Sequence, residues 1–344
     1  MSRMHNVDMG RFIAVVAIIM LHTQPFRLVP PEKDDAYRLL DVLITNLARF
    51  AVPFFFVISG YFWGHGIRNR EDFVSFSIMK IRRIFLIFIF WTLVYLIPYS
   101  QLKLNIGFED YIVLIREHIN DLYRQPYTDL LMRGSKLHLW YLVALMCSMI
   151  ISTFFVKLKQ EKPLFILAVG LYIVGVLSKS YQDTPIGMDI GFNTLYGPFF
   201  GTLFFVSGYF LSNLKITKAW LKYGIIIFLF GTLMHFIEMI VLWRVFENLP
   251  QHDYVFGTYW MGIGFSIIML VDSPKLQENV FSKVGRLSLG IYAVHYIFVD
   301  LFSRFDQTHH SAFWEIGYVM IVLILAILVT YLLSLNRFTH EFVS

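Results

Sequence analysis

"RFIAVVAIIMLH", Arg11 to His22, is an apolar run that opens on a guanidinium and ends on an imidazole. Whether water or lipid surrounds it decides the fold. Across 344 residues, 57% are hydrophobic and 15% charged, and mean hydropathy is +0.61. Such a chain has too few polar side chains to cover itself, so its solvent is mostly lipid. The run is then the first membrane span, and a charged residue and a histidine on it need a reason to be there. It is long and lacks a small-residue cleavage site, so a span rather than a cleavable signal peptide is expected.

A hydrocarbon core of about 30 Å takes roughly 17–25 helical residues to cross. By that criterion an all-α polytopic membrane protein is expected, a bundle of about ten transmembrane helices. They lie near residues 10–28, 42–63, 84–100, 138–156, 163–180, 195–212, 221–243, 254–271, 287–302 and 314–335. With the N-terminus placed inside, the inner segments hold 17 Lys/Arg against 7 Asp/Glu. The outer segments hold 11 against 17, and Arg49 lies within a span. This is the positive-inside pattern, and both termini are expected to be cytoplasmic. The formal net charge of +5 is read the same way, and no nucleic-acid partner is expected. Cys147 is the single cysteine, which excludes an intramolecular disulfide and a cysteine metal site. No metal site is expected from any other residues.

The long outer connection, residues 101–137, places Ile112, Ile115, Ile119 and Leu122 at helical spacing. An amphipathic helix on the membrane surface or over a cavity mouth is expected there. No tandem repeat stands out. One membrane domain, residues 1–344, is expected, without an appended soluble module.

Ionisable groups at membrane depth are the candidates for chemistry. Arg11 and His22 are eleven residues apart, which is 1100° of helix, three turns plus about 20°. They share one face at an axial separation of about 16 Å. They cannot touch, but a long substrate along that face could reach both. The plainer reading is that Arg11 snorkels to lipid phosphates, held by Asp8, while His22 makes a structural hydrogen bond. Lys80, Arg82 and Arg83 cluster in "MKIRRIF"; they suit either the phosphates of a cytosolic ligand or a positive-inside anchor. In "RFAVPFFFVISGYFWG", Arg49 is too deep for a plain anchor, and a buried pair with Glu238 is plausible at matching depth. Pro53 predicts a kink, and Ser59 and Gly60 permit close helix approach. His138 and Trp140 begin the fourth span in "KLHLWYL", and His295 lies mid-span in "SLGIYAVHYIF".

These stretches together resemble the acyltransferase-3 family of integral membrane acyltransferases. The Arg-x10-His first helix matches Arg11 and His22, with the frequent preceding acid at Asp8. "PFFFVISGYF" is similar to the family's second helix through Pro53, Ser59 and Gly60. Lys80 and Arg83 stand for its Arg-x-x-Arg pair, with Lys giving up bidentate geometry. "HLWYL" and "SLGIYAVH" resemble its His-Leu-Trp and Gly-x-Tyr-x-x-His motifs, at His138, Leu139, Trp140, Gly290, Tyr292 and His295. Within the family the chain is most similar to the standalone O-acetyltransferase type that acts on enterobacterial common antigen.

The resemblance implies a multi-pass protein of the bacterial cytoplasmic membrane and no bound cofactor. It implies an acyl-CoA co-substrate, acetyl-CoA first, and a glycan or glycolipid acceptor, with membrane lipids as surroundings. Arg11, Lys80, Arg82 and Arg83 would hold donor phosphates. His22 would act as general base or transient acyl carrier. Arg49, Ser59, His138, Trp140, Glu238 and His295 would bind or orient the acceptor. A proton-coupled transporter or exporter of a glycan or lipid precursor is the alternative that the same buried charges allow.

Overall fold

The computed structural model describes residues 4–27, 35–102, 107–248, 251–271, 278–309 and 311–343. Arg3 and Lys275, counted toward the inner side, and residues 103–106 of the long connection lie outside them. All regular structure among the described residues is helical.

Helix α1 runs His5–Thr23 and ends earlier than expected, because Gln24 turns left-handed at φ 47. Pro25 follows and disfavours the right-handed helical region for the residue before it. Helix α2 (Asp35–Leu47) passes through a 3₁₀ turn at Ala48–Phe50 into α3 (Ala51–Ile67). The turn sits where Pro53, lacking an N–H, cannot bond the carbonyl of Arg49, so the expected kink is a change of helix type. Helix α4 (Phe73–Val94) is capped by Asp72, which accepts from the Ser75 N–H at 2.9 Å. The long connection forms α5 (Phe108–Tyr123) and α6 (Tyr127–Arg133). In α5, Leu122 is buried and Ile115 and Ile119 are half-buried, whereas Ile112 is exposed.

A 3₁₀ turn at Leu137–Leu139 leads into α7 (Trp140–Lys157), followed by α8 (Glu161–Leu177), α9 (Pro198–Ser212) and α10 (Trp220–Val245). Then come α11 (Phe256–Leu270), α12 (Val280–Gly285), α13 (Ser288–Asp306), α14 (Ala312–Leu335) and α15 (Arg337–Val343).

Six helical stretches are long and apolar enough to cross a membrane: His5–Thr23, Ala36–Ile67, Phe73–Gln101, Leu137–Lys157, Trp220–Val245 and Ala312–Leu335. The other four expected spans are helical too, yet α8 has 17 residues and α9 and α11 have 15 each. Helix α13 carries Asp300, Arg304 and Asp306. By length and composition six stretches among the described residues qualify, and the other four expected spans are shorter helices or carry charges. The outer faces are apolar: α14 exposes Ile316, Met320, Ile324, Leu328 and Leu335, and α10 exposes Leu229, Leu233, Ile237 and Ile240. Stripes of this kind fit a lipid surround and would be an aggregation hazard in water.

A repeat hidden in the sequence carries the centre of the bundle. "FFVISGYF" at 55–62 returns as "FFVSGYF" at 204–210, one residue shorter. Helices α3 and α9 pack along these stretches. A Cβ on Gly60 would fall 1.9 Å from the Phe205 carbonyl oxygen, and one on Gly208 would fall 1.9 Å from that of Val57. The two contacts are reciprocal, since Val57 lies three residues before Gly60 and Phe205 three residues before Gly208. Contacts advance together along both chains, from Phe56 with Phe200 to Gly64 with Ser212, so the helices run parallel. Glycine is required here because the backbones touch. The likeness is short, interrupted and not in tandem, so it does not stand out against a uniformly apolar chain.

Most of the core falls into two clusters, one around α3, α8, α9 and α11 and one around α4, α13 and α14, with α1 and α7 contributing to both; a small third joins Met239, Leu242 and Val255.

Candidate active site

Where the two core clusters meet, α1, α3, α4, α7 and α13 enclose a cavity of about 320 Å³. That is within the range of small-molecule sites. From α1 it takes Arg11, Ile18 and His22, seven and four residues apart, which is one helical stripe. The sequence placed Arg11 and His22 on one face, and the structure opens that face onto one cavity. From α3 come Val52, Phe55, Ile58 and Ser59, and from α4 Ile84 and Ile87. His138, Trp140 and Tyr141 line it from the start of α7, and Arg286, Ser288 and Tyr292 from the start of α13.

At one end of the cavity stand two guanidinium groups. Asp8 accepts from Arg11 at 2.9 Å, and its other oxygen lies 3.8 Å from Arg286. The second contact exists because Gly285 has no side chain: a Cβ there would fall within 1.7 Å of the Asp8 carbonyl oxygen. Helix α12 thus packs directly on α1 and delivers Arg286 to the carboxylate. Arg286 also pairs with Glu278. A guanidinium has five N–H donors, so a carboxylate on one edge leaves others for a phosphate. Sequence reasoning missed Arg286, which sat among the basic residues counted as an inner-side anchor. Its position just ahead of "SLGIYAVH" was the available signal.

At the other end three imidazoles gather. The His22 ring centroid lies 5.3 Å from that of His295 and 6.5 Å from that of His138, and the latter two are 5.2 Å apart. Tyr296 packs beside both His22 (4.8 Å) and His138 (4.9 Å, stacked). His295 and His138 are 0% and 1% exposed. The Nδ1 of His295 lies 2.6 Å from the Tyr292 carbonyl oxygen. A carbonyl only accepts, so this nitrogen carries the proton and Nε2 carries the lone pair. That Nε2, and both ring nitrogens of His138, are buried without a hydrogen-bond partner among the described residues. Buried polar atoms are nearly always bonded, so three such nitrogens in one cluster single it out. The Tyr292 hydroxyl donates to the His138 carbonyl and ties α13 to the head of α7. Among the described residues no group of three or more His, Cys, Asp or Glu is placed to hold a metal ion.

Lys136 and Asp300 support this cluster. Lys136 Nζ contacts both carboxylate oxygens, at 2.6 and 2.7 Å, and lies 4.7 Å from the Tyr296 ring centroid.

A second recess, about 430 Å³, is lined by His22 as well. Its other walls are Thr23, Gln24 and Arg27 after α1, Ser303, Asp306 and Gln307 at the end of α13, and Tyr318 of α14. His22 is common to both spaces.

The remaining expected site residues lie elsewhere. Arg49 pairs with Asp253 at 3.3 Å, and the expected partner Glu238 is committed to another task. Glu238 accepts from Tyr181 Oη at 2.7 Å and from the N–H groups of Phe256 and Gly257 at 3.2 and 2.6 Å. A carboxylate at those donors caps α11, since the first N–H groups of a helix have no internal partner. Lys80, Arg82 and Arg83 do not line the cavity. Lys80 sits four residues before Ile84 on the same face of α4, with its ammonium 5.5 Å from the Phe76 ring. Arg82 and Arg83 are exposed.

A family model described as an acyltransferase domain matches residues 4–335. The chain is similar to a serine/alanine racemase of Enterococcus gallinarum, 27% identical over 309 residues, covering 84% of this chain and 40% of that protein. It is also similar to two amino-acid racemases of Enterococcus faecalis. One is 26% identical over 97% of this chain and 47% of that protein, the other 27% identical over 90% and 39%. The chain spans less than half the length of these relatives. No solved structure matches it significantly.

Proposed function

The chain belongs to the acyltransferase-3 family, and on that premise we propose that it carries an acyl group from acyl-CoA, acetyl-CoA first, to a hydroxyl of a glycan or glycolipid. It is a multi-pass membrane acyltransferase. The bacterial inner membrane, with the Arg11 end of the cavity toward the cytoplasm, is the setting proposed for it. The observation that carries this reading is that His22 lines two recesses, one that also holds Arg11 and Arg286 and one lined mostly by polar side chains.

Arg11 and Arg286 hold the phosphates of the donor, with Lys80 and Arg83 farther along the α4 face as its outer contacts. The pantetheine arm runs along the α1 stripe and brings the thioester to His22. An acceptor oxygen arriving from the other space bonds to the thioester carbonyl carbon while its proton passes to His22. Collapse of the tetrahedral species breaks the C–S bond, and the departing sulfur takes a proton from the His22 imidazolium. Charge gathers on the carbonyl oxygen in between. His138 lines the cavity beside His22, and with a proton on one of its nitrogens it donates to that oxygen. A base so placed contributes about 10²–10⁴-fold.

Transport is the second reading, favoured by the same pair of spaces, since a gate residue between two cavities also describes a carrier. Purified protein given acetyl-CoA and a glycolipid extract of its host membranes decides. Acyl transfer releases free CoA thiol and attaches acetate to the extract. Uptake into vesicles without thiol release would replace it by transport. Parallel incubation with L-alanine or L-serine tests the activity in the relatives' names, and no D-enantiomer is expected.

A further inference from the structure

The recess beyond His22 is unlike the cavity on its near side. Val299 apart, its side chains are amides, a guanidinium, a carboxylate and hydroxyls, among them Gln24, Arg27, Ser303, Asp306 and Gln307 beside His22. Mixed donors and acceptors around about 430 Å³ suit a polyhydroxylated ligand, each of whose hydroxyls both donates and accepts.

One wall is a turn held in an unfavourable backbone. Gln24 and Phe26, neither of them glycine, have φ of 47 and 71. Left-handed non-glycine residues are disfavoured and persist where the surroundings impose them. Here three contacts do so. The Gln24 N–H bonds the Met20 carbonyl at 2.9 Å and closes α1. The Phe26 N–H donates to Glu315 Oε2 at 2.8 Å, and the Phe26 ring stacks on Tyr37 at 5.5 Å. Glu315 is 2% exposed on α14, so a buried carboxylate holds a backbone N–H of this turn. What the turn gains is placement: Gln24 and Arg27 line the recess and hydrogen-bond each other. The opposite wall is fixed as well, with Asp306 accepting from Trp314 Nε1 at 2.9 Å and Ser303 donating to the Asp300 carbonyl at 2.7 Å.

We propose that this recess is the acceptor subsite, a seat for a sugar-sized polyhydroxylated group whose reacting hydroxyl points at His22, and that Glu315 is its positioning residue. The proposal rests on the acyl-transfer reading. It moves the acceptor from the head of α7, where the sequence had located it, to the junction of α1, α13 and α14.

The test uses the full chain in lipid nanodiscs, with acetyl-CoA as donor and the glycolipid extract of the host membranes as acceptor probe. Arg27→Ala truncates an exposed side chain, and Gln307→Trp fills the recess. Each should raise the acceptor concentration for half-maximal thiol release at least tenfold while the Kd for CoA stays within twofold. Glu315→Leu should do the same, and Glu315→Gln, whose side-chain oxygen still accepts from the Phe26 N–H, should restore most of the loss. A merely structural Glu315 would lower donor and acceptor affinity together. If the unaltered protein turns over and both Arg27→Ala and Gln307→Trp leave acceptor dependence unchanged, the subsite is overturned and acyl transfer stands. If the unaltered protein binds CoA but releases no thiol with the extract, acyl transfer falls and the subsite with it.

Discussion

Arg286 shares with Arg11 a single carboxylate: Asp8 lies 3.8 Å from the first guanidinium and 2.9 Å from the second. The pair joins residues 275 positions apart into one cationic mouth. Charge-assisted hydrogen bonds contribute about 1.5–3 kcal/mol, and 1.4 kcal/mol is a factor of ten in affinity. Arg286→Ala should therefore raise the Kd for CoA about tenfold or more, and Arg286→Lys should recover part of it. Calorimetric titration of CoA checks this. Unchanged affinity in Arg286→Ala would remove it from the donor site.

Gly285 makes that mouth possible, so its substitution should strike both stability and donor binding. In Gly285→Ala the new methyl meets the Asp8 backbone, and overpacking of this kind costs about 1–3 kcal/mol. Gly317, whose Cβ would meet nothing within 4 Å, is the control. Gly285→Ala should melt lower in detergent and bind CoA more weakly, and Gly317→Ala should match the unaltered protein in both.

His22→Ala should insert and fold normally, since the ring packs beside other rings without filling a core position, and should lose about 10²–10⁴-fold in turnover. CoA affinity should change little, because Arg11, the residue proposed to hold the phosphates, lies about 16 Å away along the helix. Thiol release under saturating substrates, with CoA binding as the control, separates the two. Trapping of an acetylated His22 in the absence of acceptor would favour the two-step covalent route over direct transfer.

The Lys136–Asp300 pair is half-buried, with side chains 23% and 13% exposed. Removing one partner leaves a partly desolvated charge without its counterion and costs less than the about 3–5 kcal/mol of a fully buried pair, whereas replacing both is often close to neutral. Lys136→Met should lower the melting temperature, and Lys136→Met with Asp300→Leu should recover much of it. Because Lys136 also lies over Tyr296, turnover should stay reduced in the double variant after stability returns. Equal recovery of both would confine the pair to a structural role.

From sequence alone one could read the lipid solvent, the all-helical class, the family and the Arg11–His22 stripe. Each depends on local composition or on spacing along one helix, and helical geometry converts spacing directly into a shared face. His138 and His295 were legible as histidines in apolar runs, but their meeting at His22 was not. Tertiary structure alone decided which buried charges belong together. Arg49 and Glu238 share a depth but not a partner, because the N–H groups opening α11 claim the carboxylate and Asp253 stands nearer the guanidinium. Arg286 joined the site only because a glycine lets two backbones touch. The second recess arises where the end of α1 turns left-handed against α14. Pairing of distant groups is set by how helices pack, and a run of apolar residues does not encode its neighbours in its own period.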